Sequence, residues 1–304
     1  MDGIINVYKE KGYTSHDVVA KMRGILRMKK IGHTGTLDPD AEGVLPVCLG
    51  KGTKLCDMLT DKTKEYRAAL LLGRETDTQD ATGKTLAIQA VEVSEEMEAA
   101  VREAVLSFQG TYMQIPPMYS ALKVNGKKLY ELARAGKEVE RQPRPVEILE
   151  IEIEKLDLPR ATLRVVCSKG TYIRTLCHDI GKKLGCGGCM ESLLRTRVDR
   201  FRLTDSLRLA EIEKLRDLGD LESHVLPVDA VFAELPELRM AEEREGDKLV
   251  HNGNPFAPEL AALSGNPILS EARVYDSQGQ FIGIYRYDGT KKRYQPQKLF
   301  LGGS

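Results

Sequence analysis

Apolar positions in the first third of the chain follow two spacings, one typical of strands and one typical of helices. Residues 3–8 form a short apolar run that predicts a strand. Residues 15–27 repeat apolar side chains at helical spacing, which predicts an amphipathic helix with Ser15 as its N-cap. Further elements are predicted as strands at 44–49, 64–73 and 84–92 and as a helix at 94–108.

The middle of the chain also mixes the two spacings. Residues 145–156 alternate between apolar and mostly glutamate side chains, which predicts a half-exposed strand. Further elements are predicted as a short helix at 127–136, a strand at 161–167, a helix at 171–184 and a strand at 193–202. Because helices lie among strands without regular alternation, the fold class is predicted to be α+β.

A change of pattern near residues 222–240 predicts a linker. The periodicity weakens there, and two prolines interrupt it. Residues 240–304 then predict a small, mostly β unit, with a hairpin turn at Ser277–Gly279. We therefore expect a larger unit over 1–230 and a smaller one over 240–304, as the length of 304 residues also favours two domains.

Composition restricts the classes of protein that remain. Apolar residues make up 41% and charged residues 30%, which is a globular balance and excludes wholesale disorder. No stretch approaches the roughly 18 apolar residues of a membrane span, so no membrane partner is expected. The N-terminus lacks a basic region followed by an apolar one, which favours a cytoplasmic protein.

Charge is unevenly distributed although the net charge is zero. Residues 119–145 carry seven Lys/Arg and three acids, and residues 164–200 carry eight and three. The stretch 203–272 is acidic, and 273–304 is basic again. Basic patches suit a polyanionic partner such as nucleic acid, but solvated charged faces would give the same pattern.

The six cysteines follow no disulfide framework. Cys186 and Cys189 form a single C-x-x-C, which is at most half of a zinc site. Cys177 and His178 could complete four ligands, but Cys177 shares the apolar face of a predicted helix, which favours burial. No metal site is therefore predicted.

The most informative segment is the loop GHTGTLDPDAEGVLP, residues 32–46. Three glycines permit close backbone approach, and Pro39 holds Asp38 in extended geometry between a helix and a strand. A carboxylate held in this way can be aimed at a substrate. Considered alone, an Asp-Pro turn is the simpler interpretation.

This loop resembles the catalytic motif of the TruB family of tRNA pseudouridine-55 synthases. Three more segments resemble family motifs in the same order. They are DKTKEYRAALLLGRETDTQDATG (61–83), QIPPMYSALKVNGKKLYELARAG (114–136) and CSKGTYIRTLCHDIGKKLGCG (167–187). The resemblance implies a mixed, largely antiparallel sheet flanked by helices, the pseudouridine synthase fold. It also implies an RNA-gripping insertion at about 111–144 and a PUA-like RNA-binding domain at 240–304.

The resemblance also implies an activity and its residues. The family isomerises uridine 55 in the T-arm loop of tRNA to pseudouridine without a cofactor. Asp38 matches the nucleophile, Arg174 the arginine that pairs with it, and Tyr66 the tyrosine that stacks on the base and acts in catalysis. The substrate-binding positions are matched by His33, Tyr66, Tyr172 and Leu193.

Basic residues near these motifs are expected to grip the RNA backbone, because the target base must leave its stack to reach Asp38. They are Lys123, Lys127, Lys128, Arg134, Lys169, Arg195 and Arg197. The expected partner is the T-stem-loop of tRNA, without an obligate protein partner, and the chain is expected to be a monomer. The route of the reaction at Asp38, by attack at C1′, addition at C6 or a glycal, stays open.

Two other functions fit the scaffold. A non-catalytic RNA-binding protein would not need Asp38, Tyr66 and Arg174 together. A synthase that depends on a guide RNA and partner proteins would be expected to carry docking extensions or basic tails, which the chain lacks. A zinc nucleobase deaminase is excluded, because no H-x-E precedes a P-C-x-x-C.

Overall fold

The structure is a computed structural model that describes residues 1–124, 126–241, 244–262 and 268–302. The strands are β1 (Gly3–Lys9), β2 (Ile31–His33), β3 (Glu42–Leu49), β4 (Lys64–Leu72), β5 (Arg74–Thr76), β6 (Thr85–Ile88), β7 (Gly110–Gln114), β8 (Lys123–Val124), β9 (Lys127–Lys128), β10 (Arg144–Asp157), β11 (Arg160–Cys167), β12 (Gly188–Val198), β13 (Phe201–Arg202), β14 (Val225–Leu226), β15 (Glu237–Arg239), β16 (Glu271–Tyr275), β17 (Phe281–Asp288) and β18 (Arg293–Leu299). The α-helices are α1 (Ser15–Leu26), α2 (Cys56–Thr60), α3 (Glu95–Leu106), α4 (Leu129–Arg134), α5 (Ile173–Lys183), α6 (Leu209–Leu218) and α7 (Arg244–His251). None of the described helices is long and apolar enough to cross a membrane.

The large sheet has the strand order β14-β1-β3-β12-β4-β11-β10-β7. Every neighbouring pair along it is antiparallel except β3 and β12, which are parallel. Helices α1 and α6 contribute buried apolar residues to one core cluster with β1 and β3, and α3 and α5 contribute to another with β4, β10 and β11. The α+β prediction, with a mixed and largely antiparallel sheet, is confirmed.

The N-cap of helix α1 lies one residue earlier in the chain than predicted. Thr14 is the N-cap, and it forms a capping box with Asp17, whose side chain accepts from the Thr14 backbone N–H at 2.8 Å. Ser15 is instead the first helical residue and is fully buried. Its Oγ accepts a hydrogen bond from the backbone N–H of Leu37 at 2.9 Å, so the start of α1 holds the loop that follows β2.

A second, four-stranded sheet has the order β15-β16-β17-β18. It contains the predicted hairpin, whose turn lies between β16 and β17. The predicted linker is more structured than expected, because β14 pairs with Ile4 and Ile5 of β1 and so extends the large sheet. One core cluster contains Ile4 and Phe201 from the large sheet region together with Ile284 and Phe300 from the C-terminal region. The two sheets therefore share buried apolar surface.

Candidate active site

The loop that carries Asp38, residues 34–41, connects β2 to β3 and is anchored from several sides. The Lys9 ammonium at the end of β1 is fully buried and donates to the carbonyls of Pro39 at 3.1 Å and Ala41 at 2.6 Å. The Ala41 N–H donates to the Asp38 carbonyl at 3.1 Å. These bonds fix the backbone after Asp38, and the bond from the Leu37 N–H to Ser15 Oγ fixes it before Asp38. We call residues 34–41 the Asp38 loop.

Arg174, in the first turn of α5, is the cation of the site. Its side chain is only 6% exposed, and its Nη1 lies 3.3 Å from Oδ2 of Asp38 and 3.6 Å from Oδ2 of Asp80. Its Nη2 donates to the carbonyl of Tyr119, in the expected insertion. The guanidinium is therefore held by two carboxylates and one backbone carbonyl, which leaves it little freedom to reorient.

Asp80 is a member of the site that the sequence interpretation missed. Its side chain is 15% exposed. Its Oδ1 accepts hydrogen bonds from Thr78 Oγ1 at 2.8 Å, from Thr82 N–H at 3.0 Å and from Thr82 Oγ1 at 2.6 Å, so Oδ2 stays turned toward Arg174. The signal is the second acid of DTQDATG, which lies within the segment 61–83 but to which the sequence analysis assigns no role.

The electrostatics of Asp38 combine opposing effects. Burial raises the pKa of its carboxyl group, the Arg174 charge opposes that rise, and the Asp80 charge adds to it. The side chain still keeps 41% of its surface exposed, so a substrate can reach it. An accessible carboxylate aimed by a fixed guanidinium is suited to nucleophilic or general acid–base chemistry.

Two tyrosines flank this pair. Tyr66 of β4 is 8% exposed, its burial raises its pKa, and its Cα lies opposite Arg195 of β12. Tyr172 precedes α5, and its ring centroid lies 5.8 Å from the Arg174 guanidinium carbon. Leu193 packs against the core cluster that contains Tyr66. Tyr172 therefore lies beside Arg174, the Asp38 charge acts on the Tyr66 hydroxyl, and Leu193 is placed by its packing against the core.

His33 ends β2 and lies beside the Asp38 loop. Its Nδ1 accepts from the Gly35 N–H at 3.3 Å, and its ring meets His16 edge-on with centroids 5.2 Å apart. Burial and the neighbouring His16 lower its pKa. It is therefore mostly neutral at pH 7 and presents a polar edge near the site.

Most of the basic residues expected to contact RNA are accessible. Lys123, Lys127 and Arg134 are exposed, and Lys128 is half-buried. Lys128 and Arg134 both lie over the ring of Tyr130, at 5.4 and 5.5 Å from its centroid. These side chains carry positive charge on the surface of the expected insertion.

The remaining three differ from one another. Lys169 is exposed and pairs with Asp61 at 2.9 Å, and Arg197 is 32% exposed and pairs with Glu65 at 3.2 Å. The expectation for Arg195 is wrong, because its side chain is 1% exposed and points into the protein beneath the Asp38 loop. A phosphate cannot reach it without disrupting the sheet.

The cysteines of the C-x-x-C are both buried and free. The Cys186 thiol donates to the Gly187 carbonyl at 3.4 Å. Within the described ranges, no group of three or more His, Cys, Asp or Glu side chains is placed to hold a metal ion.

Comparison with known proteins gives consistent matches. The model of the TruB family pseudouridylate synthase N-terminal domain matches residues 23–173, and that of the tRNA pseudouridylate synthase B C-terminal domain matches residues 174–233. The tRNA pseudouridine synthase B of Lachnoclostridium phytofermentans is 54% identical and covers 99% of this chain and 100% of its own length. The protein of the same name from Staphylococcus aureus is 42% identical over 98% of this chain and 99% of its own.

A solved structure, the crystal structure of a Cbf5-Nop10-Gar1 complex, contains a similar chain. It matches with a TM-score of 0.69 and 26% identity, and the match covers 99% of this chain and 85% of that one.

Proposed function

Because this chain belongs to the TruB family of pseudouridylate synthases, we propose that it isomerises uridine 55 in the T-arm loop of tRNA to pseudouridine. The bond between C1′ and N1 breaks, the base turns, and a bond between C1′ and C5 forms. C5 then loses its proton and N1 takes one up, so that the product is an isomer of the substrate. The observation that supports this proposal most strongly is the ion pair of Asp38 and Arg174 at 3.3 Å, beside the ring of Tyr172. An isomerisation of this kind neither oxidises nor reduces the substrate, so we propose no cofactor.

Asp38 is the proposed nucleophile. A carboxylate needs no separate base when it is ionised, and the Arg174 charge favours that form against the effect of burial. Arg174 also fixes the direction of the carboxylate, since Asp80 and the Tyr119 carbonyl hold the guanidinium from other sides.

The base pocket is proposed to consist of the residues around this pair. Tyr66 stacks on the extruded base and takes part in proton transfer, with Tyr172 and Leu193 as further walls and His33 as a polar contact at the entrance. Extrusion of the base costs a few kcal/mol. Phosphate contacts from Lys123, Lys127, Lys128, Arg134, Lys169 and Arg197 would offset that cost.

We propose that the two units of the chain have different roles. Residues 1–230 form the catalytic unit, with the insertion at about 111–144 gripping the T-stem-loop, and 240–304 form a PUA-like RNA-binding unit. We propose that the chain acts as a cytoplasmic monomer without an obligate protein partner. The likeness to a chain of the Cbf5-Nop10-Gar1 complex makes a partner-dependent synthase the alternative.

Tritium release from tRNA transcribed with 5-tritiated uridine tests the activity, because pseudouridine formation expels the hydrogen at C5. We expect release by the wild type and none by Asp38→Asn, with tRNA binding retained by both. Asp40→Asn is the matched control, since Asp40 lies in the same loop, is exposed, and should keep turnover. If the wild type binds tRNA but releases no tritium, the RNA-binding or partner-dependent alternatives would be favoured. Equal tritium release by Asp38→Asn and the wild type would refute the role of Asp38.

A further inference from the structure

Arg195 is a buried cation whose guanidinium donates to three backbone carbonyls. Its side chain is 1% exposed. Its Nε donates to the Val44 carbonyl at 2.7 Å, Nη1 lies 3.5 Å from the Thr36 carbonyl, and Nη2 lies 3.4 Å from the Gly35 carbonyl. Among the described residues, no carboxylate lies within ion-pairing distance of this guanidinium. A buried charge without a counter-charge costs free energy, so its place calls for an explanation.

The three carbonyls lie on both sides of Asp38 along the chain. Gly35 and Thr36 precede it in the Asp38 loop, and Val44 follows the loop in β3. One rigid guanidinium therefore joins the entry of the loop to its exit. A planar side chain with five N–H donors is suited to such a role, whereas a lysine offers one flexible ammonium.

The backbone of Arg195 is placed just as closely. Arg195 pairs with Gly43 across the parallel β3–β12 contact. Gly43 has a φ of +105°, and a Cβ there would collide with the Arg195 carbonyl. β12, which carries Arg195, therefore packs closely against β3, the strand that follows the Asp38 loop. This contact fixes the position of the Arg195 backbone, from which its side chain extends.

The other side of Arg195 faces catalytic groups. Arg195 and Tyr66 are Cα partners in the β12–β4 ladder. The guanidinium lies close enough to lower the pKa of the Tyr66 hydroxyl against the larger, opposite effect of burial. Its charge also lowers the pKa of His33, after burial and His16. The same cation therefore acts on two residues that line the proposed base pocket.

We infer that Arg195 is a positioning residue of the active site, which fixes the Asp38 loop through three carbonyls and holds a permanent positive charge against the Tyr66 hydroxyl. It does not touch RNA. A misplacement of about 1 Å at the reacting atoms costs about a hundredfold in rate. Loss of the Arg195 hydrogen bonds should therefore slow the chemical step measurably. The inference rests on the proposed function only for its activity readout.

The test compares Arg195→Met and Arg195→Lys with the wild type in single-turnover tritium release and in tRNA binding. We expect Arg195→Met to slow the chemical step about a hundredfold while tRNA affinity changes less than about threefold. Arg195→Lys keeps the charge and should recover at least about tenfold of that loss. Arg67→Met is the matched control, since Arg67 lies beside Tyr66 in β4 but is exposed and pairs with Glu154.

A second readout does not depend on turnover. The chain has five histidines, so the pKa of His33 can be followed by NMR. Loss of the Arg195 charge should raise the pKa of His33 in Arg195→Met, and Arg195→Lys should leave it near the wild-type value. If Arg195→Met does not fold, Arg195→Lys must still react about three- to tenfold more slowly than the wild type with unchanged affinity.

Several results would overturn the inference. They are a folded Arg195→Met that reacts within about threefold of the wild-type rate, an affinity loss as large as the rate loss, and an Arg195→Lys that is no better than Arg195→Met. An unchanged His33 pKa in Arg195→Met would refute the electrostatic part. If the wild type itself released no tritium, the proposed function would fail, while the histidine readout would still decide the place of the charge.

Discussion

Replacing Arg174 with methionine should slow the reaction and shift the acid limb of its pH–rate profile. The size of the effect on the rate can be calculated from the distance between Arg174 and Asp38. The Arg174 Nη1 lies 3.3 Å from Asp38 Oδ2, with side-chain exposures of 6% and 41%. At that distance the Coulomb attraction is about 1.3 kcal/mol in bulk water and about 5 kcal/mol at an effective dielectric constant of 20. Because Asp38 is partly solvated, we take the free energy lost with the Arg174 charge as about 2–3 kcal/mol. If it is lost from the transition state, the rate falls about a hundredfold.

The direction of the pH effect follows from the sign of the charge. Burial already raises the pKa of Asp38, and the guanidinium is the largest effect that opposes the rise. Without it the pKa of Asp38 rises further, so the carboxylate is protonated at a higher pH. The acid limb of the rate profile should therefore move to higher pH in Arg174→Met.

The assay is single-turnover tritium release over a pH series, with tRNA binding measured in parallel. Arg160→Met is a suitable control, because Arg160 is an exposed arginine that pairs with Glu191. Arg174→Lys should fall between the wild type and Arg174→Met, since it keeps the charge and loses the planar set of donors. A wild-type rate in Arg174→Met, or an acid limb that moves to lower pH, would refute the reasoning.

Three further predictions concern the neighbours of this pair. Asp80→Asn should lower the rate about tenfold through a less firmly held Arg174, but it should move the acid limb to lower pH, because a negative charge near Asp38 is lost. Lys9 has a pKa of about 8 against 10.5 for an unperturbed lysine, so the unfolded chain binds more protons between these values. The wild type should therefore gain stability relative to Lys9→Met as the pH rises from about 8 to about 10.5, which urea titrations at several pH values would show or contradict. Gly43→Ala should destabilise the fold by at least about 2 kcal/mol in the same titrations, because it forces a Cβ into the Arg195 backbone at a φ of +105°.

The sequence alone was sufficient for the α+β class, for most element positions and for the motifs that carry Asp38, Tyr66 and Arg174. Local spacing determines a strand or a helix, and a motif match identifies a residue type at a position. The structure adds the approach of Arg174 to Asp38 within 3.3 Å across more than a hundred residues of chain.

What could not be predicted depends on non-local packing. β12 has irregular register against β4 on either side of Leu193, between Met190 and Ser192 and again between Arg195 and Arg197. Such bulges break the two-residue alternation, so the face of Arg195 cannot be counted along the strand. Asp80 enters the site because its loop bonds to β12, where the Ala81 N–H donates to the Met190 carbonyl at 2.8 Å. A two-residue strand such as β14 carries no alternation to detect.

The parallel contact of β3 and β12 also sets when the site can exist during synthesis. Gly43 and Arg195 are neighbours in the sheet, but about 150 residues separate them along the chain. At about 5–20 residues per second, a ribosome needs about 8–30 s to reach the second strand after making the first. Throughout that interval the nascent chain contains Asp38 but lacks β12, the strand against which the Asp38 loop packs. For most of the interval it also lacks Arg174. The enzyme is therefore kept inactive by the order of its own translation until most of the catalytic sheet has emerged.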